Sequence, residues 1–102
     1  MKKLGNNSNS PRLWRVVYHQ SVVAKDIPNL DHVVAKRIRR AIEQKLLVDP
    51  TLYAIPLRGT LHQLWKLRVS DWRIVFSIIK SEIRILIIAH RREVYKKTEK
   101  RI

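Results

Sequence analysis

Three runs of strand-forming residues, 61–69, 72–79 and 82–89, follow one another with only two residues between neighbours. Connections that short join antiparallel strands, because a parallel return needs a crossover of a dozen or more residues. The segment therefore predicts a meander of two hairpins, turning at Ser70-Asp71 and Lys80-Ser81. Neither turn carries the glycine usual at this length.

Register follows from the turns. The first places Val69 opposite Trp72, Arg68 opposite Arg73, Leu67 opposite Ile74, Lys66 opposite Val75 and Trp65 opposite Phe76. The second pairs Ile78 with Ile83, Phe76 with Ile85 and Ile74 with Ile87. Both turns assign Trp65, Leu67, Ile74, Phe76, Ile83, Ile85 and Ile87 to one buried face. The opposite face is expected to hold Lys66, Arg68, Arg73, Ser77, Arg84 and His90, together with Val75, Leu86 and Ile88. Like charges directly opposed across strands destabilise a sheet. Arg68 against Arg73, with Lys66 beside them, is a structural cost that a phosphate-binding patch would explain.

Upstream, 14–19 alternates and reads as a first strand. Residues 21–27 form a short helix candidate that stops before Pro28. Asp31 can cap a longer helix running to about Leu47, with Val34, Ile38, Ala41, Ile42 and Leu46 on one face. Lys36, Arg37, Arg39 and Arg40 fill its other side, as a solvated face or a docking surface. Asp49-Pro50 is expected to end that helix, and 51–59 to be a loop. Residues 91–102 have helical composition. Residues 1–12 read as a disordered leader, leaving 13–102 as one domain of the α/β (α+β) class: a strand, two helices, a three-strand meander with helices on one face, and a helical tail.

Twenty-two Lys and Arg face eight Asp and Glu, a net charge of +14 in 102 residues. Such an excess draws in polyanions, so nucleic acid is the first partner to consider and an acidic protein the second. There is no cysteine, and His19, His32, His62 and His90 include no i, i+4 pair, so neither a metal nor another cofactor is expected. No apolar run approaches the ~18 residues of a membrane span. The polar stretch 5–10 leaves no secretory core, so a cytoplasmic protein without membrane contact is expected.

Pro56-Leu57-Arg58-Gly59, Leu64-Trp65-Lys66-Leu67-Arg68, Trp72-Arg73-Ile74-Val75-Phe76 and His90-Arg91-Arg92-Glu93-Val94-Tyr95 resemble, in order and spacing, the RelE branch of the RelE/ParE toxin superfamily. The resemblance covers about residues 14–97. It implies a type II toxin–antitoxin toxin that cleaves messenger RNA in the ribosomal decoding site and is held inactive by an acidic segment of its cognate antitoxin. It also implies roles. Lys66 matches a lysine that stabilises charge beside the nucleophile. Arg73 matches an arginine on the scissile phosphate, Arg91 one on the leaving group, and Tyr95 a tyrosine able to act as general base. Arg68, His90, Arg92 and Lys96 would contact RNA. Some members carry a second lysine where this chain has Leu64.

The chemistry asks for these residue types. Attack by a 2′-hydroxyl needs a proton removed, an oxyanion stabilised and a 5′-oxygen protonated. Without a metal, the charge falls to Lys and Arg. Tyrosine titrates near about 10, and a cluster of cations favours its phenolate. His90 is a second candidate base by intrinsic pKa. Two other functions fit the composition: a ParE-like toxin that inhibits DNA gyrase by binding, and a nucleic-acid-binding module without catalysis.

Overall fold

The computed structural model describes residues 13–58 and 63–102. The expected leader, 1–12, lies outside the described residues. Five strands make one sheet: β1 (Arg15–Tyr18), β2 (Ile55–Pro56), β3 (Trp65–Val69), β4 (Trp72–Ile79) and β5 (Glu82–His90). Their order is β1-β5-β4-β3-β2, with β1 parallel to β5 and every other pair antiparallel. The fold is α+β, as expected. β1 pairs with Glu82–Ile85 only.

The first hairpin has the expected register throughout, from Val69↔Trp72 to Trp65↔Phe76. Its turn is made without glycine, by Ser70 at φ 56°, and Lys80 does the same in the second turn at φ 58°. The left-handed region costs a non-glycine residue roughly 1–2 kcal/mol.

The second hairpin keeps Ile78↔Ile83 and Phe76↔Ile85 and then slips. Beyond the slip Val75 faces Ile87, Ile74 faces Ile88 and Trp72 faces His90, so Leu86 is the extra residue of a β-bulge. A one-residue slip moves every later side chain to the other face. Three expectations are corrected: Ile87 leaves the main core for the opposite face, Ile88 makes the reverse move, and His90 joins Trp72 on the main-core face. Ile88 takes the core place given to Ile87.

Two helical turns, Val22–Asp26 and Ile27–Asn29, follow β1. Asp31 caps α1 (His32–Ala41), its side chain accepting from the Val34 amide at 2.9 Å. The helix continues in a wider turn, Ile42–Leu46, where the Leu47 amide bonds back to the Ile42 carbonyl. Asp49-Pro50 ends this helix but also begins another. In α2 (Pro50–Tyr53) the proline occupies the first turn and Asp49 accepts from the Thr51 amide at 3.2 Å. Proline is well suited to that position because no helical N–H is required there. The expected loop 51–59 therefore contains α2 and the short strand β2.

Val22, Ile38, Ile42, Leu46, Leu67, Ile74, Phe76, Ile83, Ile85 and Ile88 form the main core between the sheet and the helical hairpin. A smaller cluster on the other face joins Leu57, Leu64, Val75, Ile87 and Ala89 to Val94 of α3 (Val94–Arg101). Val94 is the only apolar residue that α3 buries fully, worth about 1.5–3 kcal/mol. An isolated helix of eight residues is not stable in water.

A buried ion pair holds the far end of α3. Arg101 donates to both oxygens of Asp26, at 2.7 and 3.0 Å. Past the end of β1, the outer edge of β5 has no strand beside it among the described residues. There Asp26 Oδ2 accepts from the Ile88 amide at 2.9 Å, and Arg101 donates to the Leu86 carbonyl at 3.0 Å. The pair thus satisfies backbone groups that would otherwise be buried without partners.

Candidate functional site

The alternation of β3 and β4 puts Lys66, Arg68 and Arg73 on the α3 side of the sheet, with Arg68 directly opposite Arg73. Tyr95, in the first turn of α3, is brought down onto this row. Lys66 Nζ donates to Tyr95 Oη at 3.0 Å and lies 5.2 Å from the centre of its ring. Tyr95 is nonetheless 55% exposed, so its hydroxyl is open to a ligand. The hydrogen bond from Lys66 and then its charge hold that hydroxyl below the usual tyrosine range; burial opposes them, and the charges of Arg68 and Arg73 add smaller lowering effects.

Arg73 is held by the turn it leaves. Its Nη1 donates to the carbonyls of Ser70 at 2.9 Å and Trp72 at 2.8 Å. Burial first, then repulsion from Arg68 and Arg91, lowers its pKa, with Asp71 and Tyr95 opposing. A guanidinium stays charged at neutral pH regardless. The mutual repulsion is a local excess of positive potential that an incoming phosphate would relieve.

Arg91 follows β5. Its amide donates to the Asp71 carbonyl at 2.8 Å, and its guanidinium lies 3.9 Å from the Asp71 carboxylate. Asp71 was not a sequence candidate, although its turn is flanked by two of the three arginines of the site, Arg68 and Arg73. Only the closing of β5 onto the turn shows that Asp71 and Arg91 meet.

Of the expected residues, Lys66, Arg68, Arg73, Arg91 and Tyr95 gather at one place. Arg92 and Lys96 are exposed on the flank. His90 stands apart: its ring packs edge-on to Trp72 at 5.5 Å, and its Nδ1 accepts from the Arg92 amide. Leu64, at the position of the missing second lysine, is buried under α3 in the smaller cluster. Among the described residues, no three His, Asp or Glu side chains converge to hold a metal ion, and no helix is long and apolar enough to cross a membrane.

The arrangement offers a hydroxyl biased toward its phenolate, a lysine touching it and two arginines beside it. Such groups together can act on a phosphodiester. The fold and this site define a small toxin of the type II toxin–antitoxin class. The chain belongs to the family described as ParE toxin of type II toxin-antitoxin system, parDE, whose model matches residues 16–95, within the RelE/ParE superfamily.

No curated protein matches the chain. Solved structures do. A chain of the toxin-antitoxin complex RelBE2 from Mycobacterium tuberculosis superposes with a TM-score of 0.71 at 20% identity, over 78% of this chain and 100% of that one. A chain of the archaeal RelE-RelB complex from Pyrococcus horikoshii OT3 gives 0.57 at 28% identity, over 78% and 97%. A mutant of E. coli RelE in the free state gives 0.65 at 21% identity, over 89% and 99%.

Proposed function

We propose that the protein is a RelE-type endoribonuclease that cuts messenger RNA in the ribosomal decoding site. The observation that carries this reading is the Lys66–Tyr95 contact of 3.0 Å within a group of three arginines. Tyr95, as phenolate, takes the proton of the 2′-hydroxyl. The freed oxygen attacks phosphorus and displaces the 5′-oxygen, which takes up a proton from water, leaving a 2′,3′-cyclic phosphate and a 5′-hydroxyl. Lys66 stabilises the phenolate and the charge developing beside the nucleophile. Arg73 grips the scissile phosphate. Arg91, released from Asp71, balances the leaving oxygen. Arg68, Arg92 and Lys96 hold the flanking RNA. His90, on the Trp72 side, has no part in the proton transfer. No metal is needed, because the cations present supply the electrostatic stabilisation.

The partner proposed for the toxin at rest is a cognate antitoxin with an acidic segment over the basic surface. Support comes from the net charge of +14 and from two neighbours solved as complexes, RelBE2 and RelE-RelB.

A second reading, binding to DNA gyrase, is favoured by the ParE name of the matching family. Purified protein added to translating ribosomes, with transcript ends mapped, separates the two. Ribosome-dependent cuts lost in Tyr95→Phe support the ribonuclease. Uncut transcripts with blocked supercoiling would establish the gyrase reading, and retention of nucleic acid with neither effect would leave a simple binding module.

A further inference from the structure

The site depends on α3 for Tyr95, yet α3 has little apolar anchorage of its own. Val94 and Thr98 are its two buried residues, and Thr98 spends its hydroxyl on the Val94 carbonyl within the same helix. Arg101 completes the stripe at i, i+4, i+7 and reaches a buried carboxylate elsewhere in the chain, Asp26. Asp26 is 3% exposed and lies 75 residues away in sequence. The pair grips β5 at the bulge, on the Leu86 carbonyl and the Ile88 amide.

From this geometry we infer that Asp26 and Arg101 are positioning residues: their ion pair fixes the tilt and height of α3, and so the 3.0 Å contact of Tyr95 with Lys66. This inference rests on the reading of Tyr95 as general base, but its first readout does not. Two buried residues one turn apart, Val94 and Thr98, fix which face of the helix packs but leave its far end free to swing. A second anchor near the other end removes that freedom. The two-pronged pairing of a planar guanidinium with a carboxylate restricts rotation as well as distance. A misplacement of about 1 Å can cost on the order of 10²-fold in rate.

The test uses the tyrosinate absorbance of the whole chain. Of its three tyrosines, the step lost in Tyr95→Phe belongs to Tyr95, whose hydroxyl faces Lys66 and Arg68 of β3 and Arg73 of β4. In the parent that step lies below the ordinary tyrosine range. In Asp26→Asn/Arg101→Gln, which keeps an acceptor for the Ile88 amide and orphans no charge, the step is expected to move back up. Cleavage is expected to slow by on the order of 10²-fold, with the tryptophan circular dichroism unchanged. Arg101→Lys keeps the charge without the fork and is expected to fall between; it decides the matter if the double variant does not fold. An unmoved Tyr95 step in a folded variant overturns the inference. A moved step in proteins that cut no RNA leaves the latch standing and removes the ribonuclease reading.

Discussion

On one face of the sheet, Ile74, Phe76, Ile83 and Ile85 are buried beneath the helical hairpin. On the other, strands β3 and β4 present Lys66, Arg68 and Arg73, and α3 covers only the patch around Val75, Ile87 and Ala89. The first face gains from every residue it buries. The second sets two arginines directly opposite one another, which a sheet selected only for stability would avoid. The contrast teaches where folding and chemistry are separated in so small a chain: the alternation of the strands sends apolar side chains to one side and cations to the other. The bulge at Leu86 modifies the rule at one place. It sends Ile87 to the cationic side, where it joins the small cluster on which Val94 and α3 rest.

The separation predicts distinct failures. The largest is on the apolar face. Phe76→Ala should cost about 3–5 kcal/mol of stability, a large share of the roughly 5–15 kcal/mol of an ordinary domain. The urea midpoint should fall accordingly, and a midpoint near the parent's would show that this face does not carry the fold. Val94→Ala is smaller in stability, about 1.5 kcal/mol for two buried methyl groups. Its effect on cleavage should be proportionally greater, because it loosens the helix that bears Tyr95. Equal losses in both measurements would blur the comparison. Arg68→Gln should act in the opposite sense. Relief of the Arg68–Arg73 opposition should raise stability by about 0.2–1 kcal/mol while weakening RNA binding, and a lowered unfolding midpoint would show that the row is structurally favourable.

Much of this contrast was legible in the sequence. Two-residue turns and strict alternation set the first hairpin, and with it the common face of Lys66, Arg68 and Arg73. The Tyr95 and Arg91 assignments came from the resemblance of 90–95 to a known pattern rather than from periodicity. The bulge was not legible, because Ile85 to Ala89 is apolar throughout and either register buries a branched residue on each face. Misplacing His90 followed directly from that. α2 was hidden because Asp49-Pro50 marks both an end and a beginning. Asp26 left a faint signal: it lies four residues after Val22 on the buried stripe of its helical turn, where a carboxylate needs a partner. Which cation supplies it, 75 residues later, is a fact of the tertiary fold alone.

The claim that the cationic face is catalytic is tested most directly by single-turnover cleavage on programmed ribosomes, at saturating enzyme and across pH. Tyr95→Phe keeps the shape of the side chain and loses the ionisable hydroxyl. The predicted fall in rate is on the order of 10²–10⁴, or roughly 3–5 kcal/mol of barrier, with an unchanged unfolding midpoint. A base acts deprotonated. The parent rate should therefore rise with pH and level off below the ordinary tyrosine pKa of about 10, because Lys66 and its neighbours hold the Tyr95 hydroxyl low. The rise should be absent from Tyr95→Phe. A Tyr95→Phe enzyme with the parent's rate and pH profile, beside an inactive but folded His90→Gln, would contradict the account and move the base to the other face of the sheet.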